Sequence, residues 1–95
     1  MLFVIHCIDA VDGHPRRMEN YPAHKAHLER TADFGINIVM SGPLVKDDGE
    51  TPIGSMFVIE APNKAAVEAY QKADPFYTAK VWQSINLTAF KKTKG

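Results

Sequence analysis

The chain contains a single cysteine, Cys7, so no disulfide can close within it. With no basic, apolar leader ahead of the first strand-like segment, the expectation is a protein of the reducing cytoplasm. Charge of one sign is also missing. Eleven Lys and Arg balance eleven Asp and Glu, which leaves no basic stripe to meet phosphate and argues against nucleic acid or a membrane surface as partner. No apolar run approaches the roughly 18 residues a bilayer requires. GxGxxG, P-loop, CxxC and GxSxG motifs are all absent, so nucleotide, zinc-ribbon and serine-hydrolase chemistry lose their usual support. There is no internal repeat and no low-complexity segment. What remains is ordinary globular composition: 45% hydrophobic and 23% charged residues over 95 positions, enough for one domain spanning 1–95 with a thin core.

Hydrophobic patterning divides this domain into six elements. Leu2–Ile8 is β-branched and aromatic and predicts a first strand, ended by the turn residues from Asp9 to Pro15. A helical stretch follows to Phe34. Proline is tolerated in a first turn but not mid-helix, so Pro22 predicts a short turn over 16–20 and a main helix from 22. At about 100° per residue, Tyr21, His24, His27, Leu28, Thr31 and Phe34 share one half of that helix, and Lys25, Glu29, Arg30 and Asp33 the other. Gly35 reads as its C-terminal stop.

Ile36–Met40 predicts a second strand ending at Ser41-Gly42-Pro43-Leu44, and the polar run 46–52 a loop. Gly54–Glu60 predicts a third strand. Asn63 is a natural N-cap for a second helix striped by Ala66, Val67, Tyr70 and Ala73. Asp74-Pro75-Phe76 breaks that helix, and Val81–Phe90 alternates as a last strand, Trp82 and Phe90 facing away from Ile85 and Leu87. The order β-α-β-β-α-β is the ferredoxin-like α+β arrangement with an antiparallel sheet. Two helices cover only one face of four strands, so the other face, expected to carry Trp82 and Phe90, suits a homodimer interface.

Few residues carry chemistry. His24 lies mid-face on a buried helical side; as a base it needs a carboxylate to orient its ring, and otherwise it is a satisfied core histidine. His24 and His27, at i and i+3, could share a metal, yet no acidic residue stands at a matching offset on that face to supply a third ligand. Asp74 before Pro75 is a turn pair unless its carboxylate meets a histidine. Ser41-Gly42-Pro43 and Gly54-Ser55 are turn residues or places where backbone approaches a ligand. Arg17 is a solvated first-turn cation or an anion binder. Cys7, inside a strand, is a buried inert thiol. Tyr21, Phe76 and Trp82 could stack on a ring.

Taken in order, the strand ending in Asp9, then Arg17, Pro22-Ala23-His24, Ser41-Gly42-Pro43-Leu44, Asp47-Asp48-Gly49, Gly54-Ser55 and Ala73-Asp74-Pro75-Phe76 resemble the YCII-related (YciI-like) family over nearly the whole chain. The resemblance implies a ferredoxin-like domain that dimerises into an α+β barrel, with a His–Asp dyad at its centre. Carried over residue by residue, the dyad is His24 and Asp74, with Pro75 fixing its geometry. The family's arginine three positions before the histidine is Tyr21 here, which points to a changed substrate. His27 remains a second candidate base.

One branch of the family, similar in its Gly-Pro, Asp-Asp-Gly and Gly-Ser blocks, dehydrochlorinates a chlorinated hydroxyhydroquinone. The expectation is therefore a lyase that needs neither metal nor cofactor and acts on a small aromatic or quinone-like substrate. Asp9, Arg17, Tyr21, His27, Ser41, Gly42, Pro43, Gly54, Ser55 and Phe76 would line its pocket. A non-catalytic dimeric binding module, a muconolactone-isomerase-like enzyme and a metal enzyme using His24 and His27 are the rivals.

Overall fold

The computed structural model covers residues 1–95. Its elements are β1 (Leu2–Asp9), α1 (His14–Leu28), a 3-10 turn (Thr31–Phe34), β2 (Asn37–Val45), β3 (Pro52–Glu60), α2 (Lys64–Lys72), α3 (Pro75–Thr78) and β4 (Trp82–Phe90). The four strands form one sheet in the order β2-β3-β1-β4, and every pair is antiparallel. This is the expected ferredoxin-like α+β fold. No helix is long and apolar enough to cross a membrane.

Register decides which face each side chain serves. Phe3 pairs with Ile59, Ile5 with Phe57 and Cys7 with Ser55, so these residues point together towards the helices and are buried. Val67 and Tyr70 of α2, with Phe76 and Val81, complete the core. Asn63 caps α2 as expected, its side chain accepting from the Ala66 N–H at 2.9 Å. Ala73, placed on the apolar stripe by spacing, is the exposed C-cap instead.

Three local expectations give way to the structure. First, α1 runs unbroken from His14 to Leu28 with Pro22 inside it. The proline is exposed, so the carbonyl its missing N–H would have met stays near water, which lowers the cost of a mid-helix proline. The helix ends at Glu29, and Gly35, at φ 66°, closes the separate 3-10 turn. Second, β2 continues through Ser41, Gly42 and Pro43. It is an edge strand, with a ladder on one side only, which is where a sheet tolerates proline.

Third, Trp82 does not share the uncovered face with Phe90. Ile8 pairs with Ser84 but Asp9 pairs with Trp82, which leaves Gln83 as one extra residue. That bulge inverts the alternation, so Trp82 turns to the helix side and is 6% exposed, while Phe90 stays out at 49%.

Candidate active site

The helix side of the sheet opens beside α1 into a cleft of about 430 Å³. Its walls come from one turn after another of α1 (Arg17, Tyr21, His24, Leu28) and from the β2–β3 ribbon (Ser41, Pro43, Ser55, Phe57). Spacing makes this wall: residues three and four apart on a helix share a side.

His24 is 8% exposed, and its Nδ1 lies 2.8 and 2.9 Å from the two carboxylate oxygens of Asp74. A carboxylate only accepts, so Nδ1 carries the proton and donates it. In the neutral ring Nε2 then holds the lone pair, and it has no hydrogen-bond partner within the chain. Asp74 is 1% exposed. It is fixed from behind as the N-cap of α3, where Oδ1 also accepts from the Phe76 N–H at 2.9 Å. Pro75 occupies the first helical position, where proline's preset φ suits the turn. The Phe76 ring stacks flat on the His24 ring, with centroids 3.9 Å apart and planes at 3°. His24 is thus held on an edge by charge and on a face by an aromatic platform.

Arg17 is the other buried charge, 5% exposed. Nε and Nη2 grip Asp9 at 2.8 and 2.9 Å, a two-pronged charge-assisted pair. Nη2 also donates to the Gly54 carbonyl and to Ser55 Oγ, both at 2.8 Å. A Cβ at Gly54 would collide with the Cys7 carbonyl oxygen, so only glycine lets these strands close around the guanidinium. The Arg17 Cζ lies 4.8 Å from the Phe76 centroid, a cation–π contact that ties the two buried pairs together.

His27, three residues after His24, turns elsewhere. Its Nε2 donates to the Tyr70 carbonyl at 2.8 Å, and its ring stacks on Tyr70. It does not line the cleft. His24 and His27 therefore address different partners. No group of three or more His, Cys, Asp or Glu side chains converges as a metal site. Cys7 lies beneath the site with its thiol pushed up to about 12, by burial first and then by the Asp74 and Asp9 carboxylates. A thiol so raised stays protonated at neutral pH and is no nucleophile.

Of the expected pocket residues, Arg17, Tyr21, Ser41, Gly42, Pro43 and Ser55 line the cleft with His24. Asp9, Gly54, His27 and Phe76 do not: Asp9 and Gly54 hold Arg17, His27 joins α1 to α2, and Phe76 supports His24. Met18, Leu28, Pro52 and Phe57 complete the lining and were not expected. Met18 and Leu28 could have been found, since they lie at helical spacing from Tyr21 and His24; Pro52 had no local signal.

A sheet backed by helices on one side, with a buried His–Asp pair beside a cleft, defines a ferredoxin-like α+β protein with a candidate site on the helix side of its sheet. The YCII-related domain matches residues 1–91, and the chain belongs to that family. It is 32% identical over 97 residues to Protein YciI of Escherichia coli O6:H1 and to Protein YciI of Shigella flexneri, covering 97% of this chain and 98% of each relative. Among solved structures it is similar to the 5-chloro-2-hydroxyhydroquinone dehydrochlorinase TftG of Burkholderia phenoliruptrix AC1100, in complex with 2,5-dihydroxybenzoquinone. The TM-score is 0.84 at 28% identity, covering 98% of this chain and 96% of that one.

Proposed function

We propose that this protein is an acid–base lyase that removes HCl from a small chlorinated, hydroxylated ring, with His24 as the base and Asp74 as its partner. The observation that carries the reading is the His24–Asp74 bond: it occupies Nδ1 and leaves Nε2 without a partner on a residue that lines the cleft. The likeness to a chlorohydroxyhydroquinone dehydrochlorinase supports the substrate class.

In this reading Nε2 takes a phenolic proton. The proton is returned to the ring carbon that bears chlorine, so the oxygen's electron pair becomes a carbonyl and that carbon becomes tetrahedral. Nε2 then takes a proton from a second hydroxyl, whose electron pair forms the second carbonyl while the ring double bond shifts and chloride leaves with the carbon–chlorine pair. The sum is loss of HCl and formation of a hydroxyquinone. Asp74 stabilises the imidazolium, and Phe76, stacked beneath it, adds the attraction of its ring face for a cation. General acid–base help of this kind contributes roughly 10²–10⁴-fold, and an acidic phenol asks for little more. The steps use only the chain's own groups. Tyr21, at the cleft mouth and 49% exposed, offers a ring and a hydroxyl to the substrate.

The test is chloride release from 5-chloro-2-hydroxyhydroquinone by the wild-type protein and by His24→Ala. Release that disappears in the variant is the expected result. Wild-type protein that binds the compound without releasing chloride would favour a binding module.

The active unit in this reading is a dimer. The uncovered face carries Leu2, Val4, Ile8, Met40, Met56, Val58 and Phe90 beside the polar Asn37, Ser84, Asn86 and Thr88, and its only titratable groups are His6 and Glu60, although the chain has twenty-two charged residues by formal count, eleven of each sign. A second copy laid face to face would remove this apolar surface from water. Val58→Lys should convert a dimer to a monomer in sedimentation at micromolar concentration. A monomeric wild type would overturn the dimer.

A further inference from the structure

We propose that Ser55 is a preset hydroxyl donor that selects substrates by an acceptor oxygen, and that Trp82 and Arg17 are the positioning residues that set it. The proposal rests on the ring-binding reading of the cleft and adds to it the polarity the bound ring must present.

The inference follows from counting. A serine hydroxyl has one proton to give and two lone pairs to receive. Ser55 Oγ lies 2.8 Å from Arg17 Nη2 and 3.1 Å from Trp82 Nε1. Neither partner can accept: a guanidinium and an indole N–H only donate. Both N–H groups point at the lone pairs of Oγ, and the direction of both bonds is fixed without reference to any hydrogen position, although Arg17 Nη2 has two hydrogens for three acceptors, Asp9 Oδ1, the Gly54 carbonyl and Ser55 Oγ, and shares one of them. The hydroxyl proton is left over. It has no acceptor among the chain's own atoms, and Ser55, 3% exposed, is part of the cleft wall.

The two donors are themselves rigid. Arg17 is locked by Asp9 and the Gly54 carbonyl. Trp82 is wedged edge-on against Phe57 and Phe76, with interplanar angles of 88° and 90°. Turning Oγ towards another role would strand the buried Trp82 Nε1–H, which has no other acceptor, and this costs more than a single ordinary hydrogen bond returns. To receive a proton from a ligand hydroxyl, Ser55 would have to give up one of these bonds. Its own hydrogen is free to be given, most strongly to a carbonyl or phenolate oxygen and more weakly to a neutral hydroxyl. A hydroxyquinone or an ionised phenol therefore satisfies it best, and a ring that presents an N–H there does not. The bulge at Gln83 is what brings the indole to this place, so the selectivity of the cleft depends on one irregular pair of the β1–β4 ladder.

The experiment titrates wild type, Ser55→Ala, Ser55→Thr and Trp82→Phe with 2,5-dihydroxybenzoquinone, with hydroquinone and with acetate, which has acceptor oxygens but no ring. Affinities come from calorimetry, and occupancy from the Trp82 indole N–H resonance where the indole is present. Ser55→Ala should weaken the quinone and acetate by roughly tenfold to a hundredfold, the range for a hydrogen bond to a charged acceptor, and Ser55→Thr should restore most of it. Trp82→Phe frees one lone pair of Oγ, so the quinone-to-hydroquinone affinity ratio should fall by roughly threefold or more, a change that simple loosening of the core would not produce. Unchanged quinone affinity in Ser55→Ala, or an unchanged ratio in Trp82→Phe, overturns the donor. Wild-type protein that takes acetate in a Ser55-dependent way but not the quinone leaves the donor standing and sinks the ring-binding reading. Absence of binding by both probes removes the two together.

Discussion

Two histidines stand three residues apart on α1, and the seams they serve differ in one respect. Both are buried, His24 at 8% and His27 at 6% exposure. Each stacks on an aromatic ring, Phe76 at 3.9 Å and Tyr70 at 4.3 Å, and each gives one ring N–H to an oxygen 2.8 Å away. For His24 that oxygen belongs to a carboxylate; for His27 it belongs to the neutral carbonyl of Tyr70. His24 also faces the cleft, whereas His27 faces the core. The same residue on the same helix thus meets a carboxylate beside a cleft at one seam and a backbone carbonyl in the core at the other.

Asp74→Asn breaks this contrast most sharply, because it gives His24 the neutral kind of partner that His27 has. The expected loss of turnover is roughly 10²–10⁴-fold with the fold retained, and Asp74→Asn combined with His24→Ala should cost little more than either alone, since the pair acts as one unit. Rates within a few-fold of wild type would mean the carboxylate does not serve catalysis. His27→Ala should do the reverse. It strands the buried Tyr70 carbonyl and removes a stacked ring, for a loss of about 2–4 kcal/mol in denaturant unfolding, while turnover per folded molecule stays close to wild type. Collapse of turnover in His27→Ala at full folding would exchange the roles of the two histidines.

Alternation and turn chemistry made the element order legible in the sequence, and with it the ferredoxin-like sheet. Asn63 was readable because an N-cap is decided by residues next to it in the chain. The placement of Trp82 was not, because a bulge is a property of two strands: nothing in 81–90 says that Gln83 lacks a partner on β1. Pro22 misled for a related reason. Local propensity forbids it mid-helix, but packing of Arg17, His24 and His27 on the buried side holds α1 together across it.

At the candidate site, periodicity placed both histidines on one half of α1, yet it could not say which neighbour each would meet, since Asp74 and Tyr70 arrive from 50 and 43 residues away. The pairing of His24 with Asp74 came from the family resemblance. The burial of Arg17 against Asp9 and the stacking of Phe76 under His24 had no sequence signal strong enough to find them.

The smallest expected effect concerns how firmly the two seams are anchored. Tyr70 is carried by a nine-residue helix, whereas Asp74 and Phe76 belong to α3 and its cap, a helix of only four residues. That short helix ends with Lys80 at φ 58°, a left-handed conformation that costs a side-chain-bearing residue about 1–2 kcal/mol. The surrounding bonds explain why the chain accepts it. Lys80 N–H donates to the Tyr77 carbonyl at 3.1 Å and Val81 N–H to the Phe76 carbonyl at 3.0 Å, which closes the helix end in the manner that usually employs glycine. Arg16 Nη2 fixes the same turn by donating to the Lys80 carbonyl at 3.1 Å. Lys80→Gly removes the strain and keeps all three bonds, because each uses backbone atoms of residues 76–81. Part of the gain is offset by the greater freedom of glycine in the unfolded chain. The net expectation is a stabilisation of about 0.5–1 kcal/mol, read as a rise of a few degrees in the melting temperature. Turnover should not change, since the Asp74 carboxylate is held by the Phe76 N–H and by His24 rather than by the end of the helix. A fall in melting temperature would show that the Lys80 side chain stabilises the turn by more than its backbone strain costs. A fall in turnover at raised stability would show that the strained turn helps to aim Asp74, and the two seams would then differ in backbone as well as in charge.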